Sequence, residues 1–280
     1  MGMNIPWKIK SAIFAVIDLF SLSSLLYFLQ RNVTKRSRLD ELSVSEIWIK
    51  HASSLEKYDV ANIVFEFGAG KNLAQNLYLS SFVSNQIVVD LNPMVELDLV
   101  ETARSLLSTQ CKLKVEKEIK TFEHLAEYGI EYRAPFDASA TDFQNSSIDA
   151  CVSTNTLEHI PKEDIIKIFN ELYRVLKPEG IVSAFIDYSD HYAHTDSSIS
   201  HLNYLTFSDS QWKKYNHRVH FQNRMRHYDY LHIFDDCGFN IIEEEVIYGK
   251  DNFPEKIADK FVNKPKTVAA TAAYVVLKKK

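Results

Sequence analysis

The sequence predicts a doubly wound, mostly parallel, seven-stranded α/β sheet with an N-terminal helical extension and an insertion after the fifth strand. Three observations carry this expectation. From residue 60 onward, short apolar runs of strand length alternate with stretches of helical spacing, the pattern of a parallel sheet covered on both faces. The first run ends in Gly68-Ala69-Gly70, a turn that lets the backbone approach a ligand where a Cβ would clash. The second run ends on Asp90, at the carboxyl edge of the sheet where ligands of such folds bind.

Taken in order, the segment Ser11 to Leu29 comes first, apolar except for Asp18 and a few serines. As a spanning helix it would hold Asp18 in hydrocarbon at a cost of about 2.5–3.5 kcal/mol. A secretory signal, read from Lys8, Lys10 and the Ser21-Leu22-Ser23 stretch, is interrupted by the same aspartate. As an amphipathic helix, Lys8, Ser11, Asp18 and Ser21 share one stripe and leave a wide apolar face. That face needs a cover: the rest of the chain, a second subunit in a homodimer, or a membrane surface. The basic run Arg31, Lys35, Arg36 and Arg38 suits anionic lipid at the inner face of a membrane. Residues 1–60 are therefore expected to form a helical, membrane-associating extension, and residues 61–280 the main domain.

Within that domain, Ala61 to Phe67 reads as strand one and Asn72 to Leu79 as a helix. Strand two covers Gln86 to Val89, strand three Glu131 to Arg133 and strand four Ile148 to Thr154. Lys162 to Leu176 places Ile165, Phe169, Leu172 and Leu176 at helical spacing, and Lys177-Pro178-Glu179-Gly180 stops it. Ile181 to Ile186 is strand five, Tyr228 to Cys237 a helix closed by Gly238, Ile241 to Val246 strand six and Thr271 to Leu277 strand seven.

With 280 residues, 46% of them hydrophobic, the chain can bury a full core. Its net charge of -5 argues against a protein that coats nucleic acid, which needs a surplus of Lys and Arg. Cys111, Cys151 and Cys237 are odd in number and far apart, the usage of reduced thiols in a cytoplasmic protein.

At the glycine turn a Cβ on Gly68 is expected to enter ligand space, and Asp90, with Leu91 beside it, can accept both hydroxyls of a ribose. A nicotinamide-dependent oxidoreductase shares both features. A non-catalytic, membrane-associated module is the other rival, but its mark would be a broken loop, and Gly68, Gly70 and Asp90 are intact. Further motifs break the tie: Asp137-Ala138, Ser153-Thr154-Asn155-Thr156-Leu157-Glu158-His159-Ile160 after strand four, and Leu172-Tyr173-Arg174-Val175-Leu176 leading to strand five. Together they resemble the consecutive motifs of class I, S-adenosylmethionine-dependent methyltransferases of the small-molecule branch, which includes quinone-biosynthesis enzymes. The resemblance spans roughly residues 61 to 187 and implies a Rossmann-like methyltransferase domain with S-adenosyl-L-methionine as cofactor. It implies that Gly68, Ala69 and Gly70 line the methionine part and that Glu66 orients that loop. Asp90 and Leu91 would hold the ribose side, Asp137 and Ala138 border the adenine, and Asn155 lie beside the methionine end. Asn72 departs from the pattern, standing where many members have a third glycine.

Past strand five the chain turns unusual, with Asp187-Tyr188-Ser189-Asp190-His191-Tyr192-Ala193-His194-Thr195-Asp196 at the rim where an acceptor should bind. Residues 188 to 230 hold six of the ten histidines and nine aromatic residues, a mixture suited to stacking on an acceptor and handling a hydroxyl proton. His191, oriented by Asp190, is the first candidate base; His194 and His159 follow. The expected reaction is O-methylation of a small-molecule or glycan-like acceptor. Asp187, Asp190, His191, His194 and Asp196 also offer metal donors, and Glu158-His159 resembles the end of a Glu-x-x-Glu-His metal motif in some quinone methyltransferases. Asn155 replaces its first glutamate, so no metal ligand is assigned. Arg218, Arg224 and Arg226 read as a basic patch for an anionic acceptor such as a nucleotide-linked sugar.

Overall fold

The computed structural model describes residues 5–20, 39, 42–250 and 253–280. The basic run Arg31 to Arg38 and the Ser21-Leu22-Ser23 stretch lie outside the described residues. Seven strands form one sheet: β1 Ile63–Phe67, β2 Asn85–Val89, β3 Ile130–Arg133, β4 Ile148–Thr154, β5 Leu176–Asp187, β6 Phe239–Tyr248 and β7 Ala270–Lys279. Their spatial order is β3-β2-β1-β4-β5-β7-β6, with the first five parallel and β7 antiparallel to both neighbours. An antiparallel strand wedged between β5 and β6 departs from the all-parallel 3-2-1-4-5-6 order of dinucleotide-binding domains. The topology thus removes the oxidoreductase rival.

Central strands are buried on both faces and read as nearly continuous apolar runs, with Phe65 paired to Ile87 on one side and Cys151 on the other. Helices cover both faces: α1 Trp7–Leu19, α2 Glu46–Lys57, α3 Ala74–Leu79, α4 Leu97–Ser108, α5 Lys162–Val175, the single turn α6 Asp209–Trp212, and α7 His227–Asp236. The amphipathic α5 buries Ile165, Ile168, Phe169, Leu172 and Val175, with Glu163 and Asp164 in its first turn and Arg174 in its last, as the helix dipole favours. It stops one residue short of the expected end because β5 begins at Leu176; residues 177–180 are an irregular excursion within that strand rather than a separate turn. Helix α3 starts late because Leu73 adopts a left-handed φ of 48° and Asn72 Oδ1 caps the Ala74 amide at 3.0 Å.

The expected boundary at residue 61 falls too late. Ser45 caps α2 through the Ile47 amide, and α2 buries Ala52 and Leu55 in the same core as Val64, Val152, Ile181 and Val276. Helix α1 joins a different core, packing Trp7, Phe14 and Ile17 on Tyr192, Tyr204 and Trp212 of the insertion. Its polar side chains other than Lys8 face inward. Asp18 accepts the Val219 amide at 3.3 Å, Ser11 meets His217 Nε2 at 2.9 Å, and Asp196 accepts the Trp7 amide at 2.7 Å. No helix among the described residues is long and apolar enough to cross a membrane.

The insertion has little regular structure, so its carbonyls need other partners. Arg226 is fully buried and donates to the carbonyls of Tyr188 (2.8 Å), Val268 (3.0 Å) and Ala270 and to the Tyr204 hydroxyl. Arg224 donates to the Tyr204 and Phe207 carbonyls at 2.8 and 2.7 Å and pairs with Asp209. These two arginines are internal struts. The expected anion-binding patch does not exist, since only Arg218 of the three is exposed. Arg226→Lys keeps the charge but loses the planar fork, and should lower the unfolding free energy by about 2–4 kcal/mol in a urea titration. Unchanged stability would show that the fork is not what holds the insertion.

Candidate functional site

The carboxyl ends of β1, β2, β3 and β4 open onto a cavity of about 410 Å³, within the range of small-molecule sites. Of the residues expected to hold the cofactor, Gly68, Asp90, Leu91, Asp137 and Ala138 line it. Thr156, Phe136, Asn92 and Met94 also line it and were not foreseen. Glu66 lies beneath the turn, and Ala69, Gly70 and Asn155 stand outside the lining.

Both turn glycines take left-handed φ values, 78° at Gly68 and 74° at Gly70, which any side chain would strain. Their surroundings differ. A Cβ on Gly68 would lie 2.4 Å from Thr156 Cγ2, so it would strike the protein rather than the ligand space expected of it. A Cβ on Gly70 would meet nothing within 4 Å. Thr156 buttresses the turn, donating from Oγ1 toward the Gly68 carbonyl at 3.2 Å. Glu66 accepts from Gln75 Nε2 at 3.0 Å and Asn76 Nδ2 at 2.7 Å, which fixes the strand end that launches the turn.

Asp90 accepts the Tyr132 hydroxyl at 3.1 Å, and the Gly70 amide faces its carboxylate. Tyr132 was missed although it is readable from strand register, since β3 sets it beside Val88, two residues before Asp90. Asp137 does not offer a free carboxylate: Oδ1 accepts the Ser139 amide at 2.8 Å, and Ser139 holds the acid below its ordinary range.

At the opposite rim the structure gathers all three candidate bases. The His159 and His191 rings lie 4.9 Å apart and those of His191 and His194 stack at 4.8 Å. His159 is the one that lines the cofactor cavity. The carboxylate nearest the His191 and His194 rings is Asp187 and not Asp190. His191 Nε2 is 3.3 Å and His194 Nε2 3.8 Å from Asp187 Oδ2. Burial pushes Asp187 upward, but His191 and Ser189 outweigh it and hold the carboxyl below its usual value. Asp190 is buried and spent on the loop itself, accepting Asn203 Nδ2 and the Tyr192 amide at 2.9 Å each. Burial lowers His159 and His194, and it drives His220, whose ring lies 6.1 Å from that of His191, down to about 2.

Burial also pushes Asp90 up to about 6 against the pull of Tyr132 and the Gly70 amide. A ribose diol donates best to the ionised acid, so affinity for S-adenosylhomocysteine should be full at pH 8 and fall as pH drops through 6. Asp90→Asn should bind more weakly at pH 8, by roughly 1.5–3 kcal/mol, and lose that pH dependence. Calorimetric titrations from pH 8 to 5 check both; a wild-type affinity flat with pH would take Asp90 out of ribose binding.

Residues 65–184 match a family model described as a methyltransferase domain. No curated protein sequence matches the chain. Among solved structures, the CurJ carbon methyltransferase is 14% identical, with a TM-score of 0.50 over 92% of this chain and 61% of that one. An S-adenosylmethionine-dependent methyltransferase from Clostridium acetobutylicum is 13% identical (TM-score 0.48, 92% and 99% covered). Another from Methanosarcina mazei is 17% identical (TM-score 0.47, 85% and 99% covered). None of these matches speaks for the quinone-biosynthesis branch. The cavity at the β1 and β2 ends, with the Asp90 carboxylate in its wall, fits the diol of an S-adenosyl nucleoside. With residues 65–184 matched and its sheet in this order, the chain carries a methyltransferase domain of the S-adenosylmethionine-dependent type.

Proposed function

We propose that this enzyme methylates a hydroxyl oxygen of a small-molecule or glycan-like acceptor. The observation that carries the reading is the convergence of His191 and His194 on Asp187, with the His159 ring against that of His191 at the edge of the cofactor cavity. When bound, S-adenosylmethionine supplies an electrophilic methyl group and departs as a neutral thioether. Forming the oxygen–carbon bond sheds the hydroxyl proton, and an imidazole cluster is the chemistry that assists its loss near neutral pH. A second cavity of about 610 Å³ shares Pro161 with the first and is lined by Trp212, Asn216, Phe221 and Gln222, a polar and aromatic wall suited to a sugar or ring. Arg224 and Arg226 donate to backbone carbonyls, so neither guanidinium is held free for an anionic acceptor.

His191 sits at the centre of the cluster, so His191→Ala should lower methyl transfer by about 10² or more while S-adenosylhomocysteine binds as in wild type. Near-normal turnover in that variant would sink the hydroxyl-activation reading.

We also infer that α1 seats the enzyme peripherally on anionic lipid, on the inner face of a membrane. Because its polar residues face the insertion, the outward side is apolar: Ile9, Ile13, Val16, Leu19 (77% exposed) and Phe20 (64%), with Lys8 beside them. In sequence the apolar character continues to Leu29, and four basic residues follow before the next acid, Asp40. An outward apolar face followed by a basic run suits a lipid interface better than open solvent. The full chain should co-sediment with phosphatidylserine vesicles and much less with phosphatidylcholine vesicles. Ile13→Glu/Val16→Glu should release it without altering cofactor affinity. Equal sedimentation of variant and wild type would refute the seat, and a wild-type dimer that the variant splits would point to a second copy instead.

A further inference from the structure

We propose that the cluster at the carboxyl ends of β4 and β5 is a binding site for one divalent first-row transition ion. Glu158, His159 and His191 are its ligands, and Asp187 and His194 stand beside the His191 that both groups share. The ligand atoms of Glu158, His159 and His191 lie within 4.8 Å of one another, as do those of Asp187, His191 and His194, and His191 belongs to both sets. A tetrahedral ion with bonds of about 2.1 Å holds its donors about 3.4 Å apart, so small side-chain adjustments close either set.

The observation that points to a ligand is Glu158. Its side chain is 3% exposed, and neither carboxylate oxygen has a hydrogen-bond partner among the described residues. The Glu158 and Asp187 amides face it without reaching hydrogen-bond geometry. A buried carboxyl left without partners is costly in either protonation state, and a cation between the ligand atoms would engage its oxygens. His220 Nε2 is likewise shielded and unpartnered at the cluster's edge. The neighbouring groups behave as an outer shell does. His159 Nδ1 donates to the Phe221 carbonyl at 2.8 Å, which leaves Nε2 as the free donor atom.

Mixed imidazole and carboxylate donors select ions of the Mn²⁺ to Zn²⁺ series over Mg²⁺ and Ca²⁺, which prefer all-oxygen shells. This deepens the O-methylation reading, because such an ion would hold the acceptor hydroxyl and lower its pKa. Ion binding itself does not depend on that reading. The test therefore measures the ion alone. Chelator-treated full-length protein should bind one Co²⁺ per chain with visible d–d bands and one Zn²⁺ by calorimetry, and Mg²⁺ should not compete. Glu158→Gln and His191→Ala should each weaken Zn²⁺ binding at least about 100-fold, beyond the loss of an outer-shell partner, with S-adenosylhomocysteine affinity unchanged as the check on folding. Absence of Co²⁺ bands and Zn²⁺ heat in the wild type would overturn the site, whether or not the variants fold. Binding undiminished in both variants would place the ion elsewhere, and effective competition by Mg²⁺ would overturn the assigned ion class. Should the ion bind while no hydroxyl acceptor is ever methylated, the site stands and the reaction assignment falls.

Discussion

Glu66 occupies the penultimate position of the central strand at 4% exposure, and a carboxyl there must be solvated by protein or driven to its neutral form. Burial raises it to about 7 against the pull of Asn76 and Gln75, with the nearby charge of Asp90 adding to the rise. Around it runs a buried polar chain with one consistent direction. Thr154 Oγ1 donates to Gln75 Oε1 at 2.8 Å, so it must accept from His51 Nε2 at 2.9 Å. His51, kept neutral because burial lowers it to about 3, then accepts at Nδ1 from Ser183 Oγ at 2.7 Å. Ser183 accepts from the Tyr274 hydroxyl at 2.7 Å, and Tyr274 from Ser54 at 2.9 Å. After Ser54, which only gives, each hydroxyl in that order gives one bond and takes one, and the imidazole tautomer is fixed by its neighbours. The chain links α2, β7, β5, β4, α3 and β1, and it ends beneath the glycine turn. That is why α2 belongs to the domain: without His51 and Ser54 the line of donors feeding Glu66 is cut.

The acceptor side is held by a different device. Where the sheet satisfies its backbone through neighbouring strands, the segment between β5 and α7 uses long cationic side chains turned inward, Arg224 and Arg226, to collect carbonyls that have no strand partner. Burying two guanidinium groups is costly unless nearly every N–H is used, and here most are directed at oxygens. The same logic explains why α1 points Lys10, Ser11 and Asp18 at the insertion: its loops have free amides and carbonyls to satisfy, and solvent does not.

Features set by the backbone were legible in sequence. The strand-end glycines, Asp90 and the helical spacing of α5 follow from steric and periodic rules that act over a few residues, and all appear where those rules put them. Reading failed where a side chain's partner is distant in the chain. Asp190 adjoins His191 in sequence, yet Asp187, four residues earlier at the end of β5, is the residue its ring meets. Arg224 and Arg226 look like an anion site because nothing local shows that Val268, Ala270 and Phe207 carbonyls will surround them. Gly68 was expected to spare a ligand from a Cβ and instead spares Thr156, a residue 88 positions away. Glu158 carried no signal of being orphaned, since burial of its carboxylate depends on how the insertion folds over the end of β4.

Helix α1 connects the two outer edges of the acceptor side. Its inner side chain Lys10 reaches the His191 carbonyl at 3.5 Å and Thr195 Oγ1 at 3.1 Å, so the backbone of the central histidine is tied to the helix whose outer face is apolar. Any load that shifts α1 as a unit is transmitted to His191 through that tether and through the Asp196 bond to the helix start. On the proposed reading, seating on lipid would then act on the histidine loop, while among the described residues Glu66 and Asp90 have no hydrogen bond to α1. A lipid-borne acceptor, if the enzyme takes one, would then meet it at the face that α1 holds, so the proposed seat bears on the histidine side of the cavity rather than on the glycine turn.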